Sequence, residues 1–288
     1  MTLILFTTTD LAGGRDRDFR RLLASVERSR DVAVRHYVLL QNASEEALAL
    51  CRSEAPAACR IFAISGRASV SAARNRLIAE ACTEQVPAEG DVVAFPDDDC
   101  WFPDGFLARL HRTFAEATTL DLLVCRMSLD PRADEFRSRD AEPIAAHQVV
   151  RMSSSNNMFL RGSLAGGLGA FDEGLGLGSP AGGGEDTDYA LRAYLGARRA
   201  GLLDQPLVGH PVPDRASAAK YFRGAMTVLA RHARARPTLA RECARKVLVG
   251  GWFVGSGRLA ASEYLIGLRD GAGALLAARP TTPEGPVR

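Results

Sequence analysis

The sequence predicts an α/β protein built on a mostly parallel central sheet flanked by helices. Three observations predict it. Over residues 2–127, short β-branched apolar runs alternate with segments of helical period, the pattern of strands joined by crossover helices. The run "DVVAF", residues 91–95, leads straight into "PDDD", and open sheets of this kind bind ligands at the carboxyl ends of their strands. The chain has 288 residues, 47% hydrophobic and 24% charged, enough to bury a core without disulfide or metal staples.

The elements follow in order. "TLILFTT" reads as a strand ending in Thr8, Thr9 and Asp10. Residues 16–29 set Phe19, Leu22, Leu23 and Val26 on one helical face. "VAVRHYVLL" is a second strand, Ser44 to Arg52 a short helix and "CRIFAIS" a third strand. "SVSAARNRLIAEAC" is a helix with Ser69 or Ser71 as N-cap. "DVVAF" is the fourth strand, a helix follows from Pro103 to Ala117, and "DLLVCRM" is the fifth strand. Residues 128–145 read as loop, and "SSSNNMFLR" as a strand. Residues 162–184 carry ten glycines, too many for a rigid element. They end in "GEDTDYALRAYLGARRAG", a helix with Gly201 placed to stop it. "LLDQPLVGH" is a last strand. From Ser217 the pattern is helical, with Phe222, Ala225, Met226 and Leu229 on one face, broken at Pro237 and then resumed. The last ten residues read as disordered.

Composition narrows the class. Six cysteines stand singly, with no CxxC or Cys/His cluster. A zinc site and a disulfide framework are therefore not expected, and reduced thiols in a cytoplasm are. No secretory signal or spanning segment is read, since "VLVGGWFVG" falls well short of about 20 apolar residues. Net charge is +2, but residues 215–288 hold 13 basic against 4 acidic side chains. An acidic body with a basic tail fits contact with something anionic, or a solvated Arg-rich face.

Four clusters could carry chemistry. Asp97, Asp98 and Asp99 at a strand end exceed what a helix cap needs, and carboxylate oxygens suit Mg²⁺ or Mn²⁺. Because Mg²⁺ usually takes one or two carboxylates plus substrate phosphates, a phosphate-bearing ligand is implied. Glu185 and Asp186 open a helix, where the dipole favours acids, yet they follow a glycine-rich segment, and a carboxylate there could take a proton from a hydroxyl. Ser69, Ser71, Arg74 and Asn75 gather near one helix start, and Arg suits phosphate. His210 follows the last strand.

Together these motifs resemble the family-2 inverting glycosyltransferases of the GT-A fold. The resemblance rests on the strand–helix series, "ARN", the apolar run into "DDD", and "FDEGLG…GGGEDTDYALRAYLGARRAG", and covers residues 2–212. It implies a nucleotide-diphospho-sugar transferase fold with a C-terminal helical extension, and Mn²⁺ or Mg²⁺ as cofactor. It implies Asp99 as metal ligand, with His210 completing the site. Asp97 or Asp98 would meet the donor ribose or the metal's water shell. Thr8, Arg67, Arg74 and Asn75 would line the nucleotide-diphosphate site, and Asn156 and Asn157 would approach the donor sugar. Asp186 would be the catalytic base, with Glu185 beside it. One departure stands out: relatives carry an acid after the second strand to hold the base, and here "LLQNAS" places Asn42. An amide donates as well as accepts, so uridine, thymidine and guanosine donors all stay open.

The expected organisation is a GT-A domain at 1–214, a basic helical extension at 215–279 and a disordered tail at 280–288. The expected partners are a nucleotide-sugar donor, a hydroxyl acceptor (glycan, lipid-linked or small molecule) and an anionic membrane touched peripherally from the cytoplasmic side, with no nucleic acid. The rival reading is a nucleotidyltransferase, for which "LAGGRD" after the first strand is a partial phosphate loop. A sugar-binding module would leave Glu185–Asp186 without a task.

Overall fold

A computed structural model describes residues 1–132, 136–211 and 217–277; the tail read as disordered lies outside them. The chain divides into two compact units, Met1–Glu173 with Tyr189–Val212, and Gly174–Asp188 with Pro213–Arg288.

The first unit holds an eight-stranded sheet. Its strands are β1 (Leu3–Thr9), β2 (Val34–Gln41), β3 (Cys59–Ile64), β4 (Val92–Ala94), β5 (Leu120–Ser128), β6 (Glu142–Pro143), β7 (Met158–Arg161) and β8 (Arg199–Gly209). The spatial order is β3-β2-β1-β4-β7-β5-β8-β6. β3, β2, β1 and β4 run parallel, as do β5 and β8. β7 runs antiparallel between β4 and β5, and β6 antiparallel on the edge. The helices are α1 (Asp16–Glu27), α2 (Glu45–Glu54), α3 (Val70–Glu84), α4 (Phe106–Glu116), α5 (Ala146–Met152), α6 (Gly162–Leu168) and α7 (Glu185–Gly196).

Alternation along β1 covers both faces of the sheet. Leu3 and Leu5 join Leu22 and Val26 of α1 and Phe106, Leu110 and Phe114 of α4 in one core. Phe6 faces the other way and stacks on Tyr37 and Phe95, with Tyr189 edge-on to Phe95. Phe19 of α1 packs with Val38, Leu40 and Ile61. Two serines set helix starts: Ser44 caps α2 and Ser69, rather than Ser71, caps α3, each accepting a backbone N–H.

The second unit carries α8 (Ser217–Lys220), α9 (Phe222–His232), α10 (Pro237–Gly255) and α11 (Ala261–Ala277). Phe222, Met226 and Ala230 of α9 form its core with Val247, Tyr264 and Leu268. Pro237 does not merely break a helix: it opens α10 at the first turn, where its missing N–H costs nothing.

Four expectations need correction. The glycine run does begin in a regular element, since Gly162–Leu168 is α6. Gly201 does not stop α7, which already ends at Gly196; Gly201 lies in β8, where a Cβ would press on Ala141 and Leu120. The loop at 128–145 contains a short 3-10 turn at Ser138–Asp140 and the edge strand β6. Of "SSSNNMFLR", only Met158–Arg161 is strand, and Ser155–Asn157 form a 3-10 turn.

Candidate active site

Beyond β4 the chain turns sharply, with the Cys100 N–H donating to the Asp97 carbonyl at 3.1 Å. None of the three aspartates caps α4, which starts only at Phe106. The turn instead points two of them at a common point: ligand atoms of Asp97, Asp99 and His210 all lie within 4.8 Å of one another. His210 is brought there by a two-bond bridge. Trp101 N–H donates to the Gly209 carbonyl at 2.9 Å and Gly209 N–H to the Trp101 carbonyl at 2.8 Å. A Cβ on Gly209 would run into the Trp101 indole, so only glycine allows this approach. His210 Nε2 ends 3.2 Å from Asp99 Oδ1.

The three carboxylates sit in different surroundings. Asp97 is held by its neighbours. Its N–H donates to Asn156 Oδ1 at 2.6 Å, and it accepts from Asn156 Nδ2 at 2.8 Å and Arg74 Nη2 at 2.9 Å. Asp98 turns inward, accepting from the Thr9 hydroxyl at 2.6 Å. Burial pushes it up to about 6 against that bond. Asp99 accepts from Arg15 at 2.7 Å. Burial alone would raise Asp99, but His210 and Arg15 overcome it and hold the carboxyl at about 2. Burial likewise works against charge on His210, and the bond to Asp99 wins, raising it above the usual imidazole range.

Behind the turn lies a fixed chain of donors. The Thr7 hydroxyl donates to the Pro96 carbonyl at 2.8 Å and lies 2.9 Å from His36 Nε2. Since that hydroxyl proton is committed, Nε2–H donates to Thr7 and His36 is the neutral Nε2–H tautomer. Burial drives its pKa down to about 3.

The other sequence-predicted residues divide by location. At the ends of β1 and β2, Asn42 holds a left-handed φ of 52° and its amide donates to Asp10 Oδ2 at 3.0 Å. Asn tolerates that region better than most residues. Arg67 Nε stands 3.9 Å from the same Asp10 oxygen, on a loop pinned where Ala68 N–H donates to Gln41 Oε1. Thr8, half-buried, is the penultimate residue of β1.

Three of the residues expected at the donor have partners within the protein. Arg74 is 3% exposed, and its guanidinium holds Asp97 and the Ser155 hydroxyl, so it braces the turn from behind. Asn75 binds the Phe171 backbone at both amide atoms and donates to Glu173; it ties down a loop. Asn157, 1% exposed, donates to the carbonyls of Cys125 and Met152, which leaves Asn156 alone at the turn.

Glu185 and Asp186 stand on the first turn of α7, in the second unit, both half-buried. Sequence reading missed Asp10 and Arg15 as partners of the site. Asp10 was visible only as a strand end. Arg15 was visible only as a partial phosphate loop, which the structure instead folds onto Asp98 and Asp99.

No protein-family model matches the chain, and no curated protein matches it in sequence. Solved structures do match in three dimensions. S. aureus TarS 1–349 in complex with UDP matches with TM-score 0.66 at 16% identity, over 96% of this chain and 81% of that one. TarS 1–349 in complex with UDP-GlcNAc gives 0.64 at 16% identity, over 96% and 82%. The mannosyltransferase PcManGT from Pyrobaculum calidifontis, in complex with GDP-Man and Mn²⁺, gives 0.61 at 16% identity, over 96% and 74%. Likeness at such low identity is likeness of backbone, and together with the mostly parallel sheet it establishes that this chain has the GT-A fold.

Proposed function

We propose that the chain transfers a sugar from a nucleoside-diphosphate donor to a hydroxyl acceptor, with inversion at the anomeric carbon and with a divalent metal. The observation that carries this is the convergence of Asp97, Asp99 and His210 on one point, at the carboxyl edge of a GT-A sheet. Two carboxylates and an imidazole, with no thiolate, form a donor set that fits Mn²⁺ or Mg²⁺. Asp97, Asp99 and His210 would hold the ion, which when bound supplies a Lewis acid for charge on a diphosphate. The three neighbours with bound nucleotides support the donor class.

The protein's own groups then have these tasks. Arg74 and Asn156 keep Asp97 aimed. Asp98, turned to Thr9, serves the turn rather than the ion. Asp10, Asn42, Thr8 and Arg67 line the end of the sheet where the nucleoside would lie. Asp10 supplies the carboxylate that Asn42 lacks. Asp186 accepts the acceptor hydroxyl's proton, with Glu185 beside it. The outer face of the second unit is given an anionic membrane surface as its partner. A nucleotidyltransferase is not favoured, because the structural neighbours include a mannosyltransferase with GDP-Man and TarS with UDP-GlcNAc.

The test is a melting series with UDP, dTDP and GDP, with and without Mn²⁺, since a ligand that binds only the folded form raises its Tm. A Mn²⁺-dependent rise that vanishes in Asp99→Ala is expected. Asp186→Asn should keep that rise and lose about 100-fold or more in turnover, the usual worth of a placed base. Pyrophosphate release from a nucleoside triphosphate, or no nucleotide response at all, would overturn the reading.

A further inference from the structure

The residues leading into α7 are held by α9 more closely than an ordinary surface helix would hold them. A Cβ on Gly183 would stand 2.7 Å from Tyr221 Cδ1, and one on Gly184 would stand 2.9 Å from the Gly224 backbone and 3.2 Å from Val228. Conversely, a Cβ on Gly224 would collide with the Gly183 carbonyl. Glycine on both sides of the contact lets the two backbones touch.

Polar contacts lock the same approach. The Asp188 side chain is 2% exposed, and its Oδ1 lies 3.1 Å from Arg231 Nη1 and 3.0 Å from His232 Nε2. Asp188 N–H closes the first turn of α7 onto the Gly184 carbonyl at 2.9 Å. Two turns earlier in α9, Arg223 Nη1 donates to the Pro180 carbonyl at 2.8 Å, while its Nε donates to Asp270 of α11 at 2.6 Å. The apolar side of α9 is anchored by Phe222, Met226 and Ala230. Every restraint acts within two residues of Glu185–Asp186 or on the strap before them.

We infer that α9 is the mount of the catalytic-base segment: Gly224, Arg231 and His232 are positioning residues that fix where Asp186 stands. The inference rests on the reading of Asp186 as the base. It gives the C-terminal helices a task in turnover, and it gives the strap glycines at 183 and 184 one too: both allow close approach, and Gly184 also takes a left-handed φ of 95°. A buried carboxylate that loses one partner is left poorly compensated and moves toward water. A misplacement of about 1 Å in a reacting group can cost about 100-fold.

The experiment compares wild type with His232→Ala, His232→Gln, Gly224→Ala and Asp186→Asn. One readout is amide hydrogen exchange over residues 182–188. The second is kcat, KM and donor affinity with Mn²⁺ for whichever of the UDP-, dTDP- and GDP-linked sugars raises Tm. His232→Ala and Gly224→Ala should exchange faster over 182–188 and lose about 10- to 100-fold in kcat, with donor affinity kept. His232→Gln, whose amide can still donate to Asp188, should recover part of the loss. Unchanged exchange and unchanged kcat in a folded His232→Ala would overturn the inference, even if Gly224→Ala fails to fold. Full turnover by Asp186→Asn together with a loss in His232→Ala would sink the base reading and leave the mount standing.

Discussion

Arg15 decides how the acidic turn behaves before any ligand arrives. Its Nη1 lies 2.7 Å from Asp99 Oδ2 and 3.5 Å from Asp98 Oδ1, so a resident cation already shares the carboxylate proposed to hold the metal. The arginine side chain is 47% exposed, and exposed pairs of this sort are worth about 0–1 kcal/mol. Displacing it is therefore cheap, and the freed guanidinium is suited to a diphosphate. Arg15→Gln should tighten Mn²⁺ binding to the nucleotide-free protein by up to about fivefold, the equivalent of that energy, and weaken Mn²⁺-dependent nucleotide binding. Titration of Mn²⁺ followed by electron paramagnetic resonance reads the first effect. A loss of Mn²⁺ affinity in the variant would mean that Arg15 supports the ion rather than competing with it.

Element by element, the strands β1 to β5 were legible in the sequence because apolar runs and the acids after them are local signals, whereas the two-residue edge strand β6 and the start of β7 carry no such run. The acidic turn, the Ser69 cap and His210 at the end of β8 could all be read that way. What could not be read needed a partner far away in sequence. The burial of Arg74 against Asp97 and Ser155 is one example. Asp10 becomes a candidate only once Asn42 is seen to donate to it. The glycine run misled because glycine marks both freedom and close approach; Gly183 serves the second, and Gly184, at a φ of 95°, serves both. α10 adds an element-scale feature. Leu248 and Trp252, 75% and 57% exposed, lie one turn apart on the side opposite Leu239 and Gly250. Arg258 stacks 4.9 Å over Trp252, and Arg241 shares the outer side. Among the described residues no helix is long and apolar enough to cross a membrane, but Trp, Leu and Arg on one side suit an anionic headgroup layer. Leu248→Glu combined with Trp252→Glu should weaken the partition onto phosphatidylserine vesicles by about 100-fold or more, given roughly 1.5–3 kcal/mol for each large apolar side chain buried. No pelleting on anionic vesicles above the vesicle-free control would remove the membrane as partner.

At the scale of the whole molecule, the buried groups around the turn set how stability responds to acid, and two of them oppose each other. His36 falls from 6.5 in the unfolded chain to about 3 when folded. Between those values only the unfolded state takes its proton, so stability drops as pH falls, by up to about 1.4 kcal/mol per pH unit. Asp98 rises from 3.8 to about 6. Between those values the folded state takes the proton first, so stability increases as pH falls, with a similar slope. From about pH 6 to pH 4 the two slopes cancel. Below that the Asp98 contribution is exhausted. Asp99, lowered from 3.8 to about 2, then joins His36, because each is a group whose protonation favours the unfolded chain. Urea unfolding in the metal-free protein should give nearly constant stability from pH 6 to 4 and a steep fall beneath it. Asp98→Asn removes the opposing carboxylate while keeping an acceptor for Thr9, so it should uncover the His36 slope across that interval. His36→Gln should do the reverse and make the protein gain stability toward pH 4. If Asp98→Asn stays flat there, His36 does not stay neutral in the folded chain, and burial is not what sets its charge.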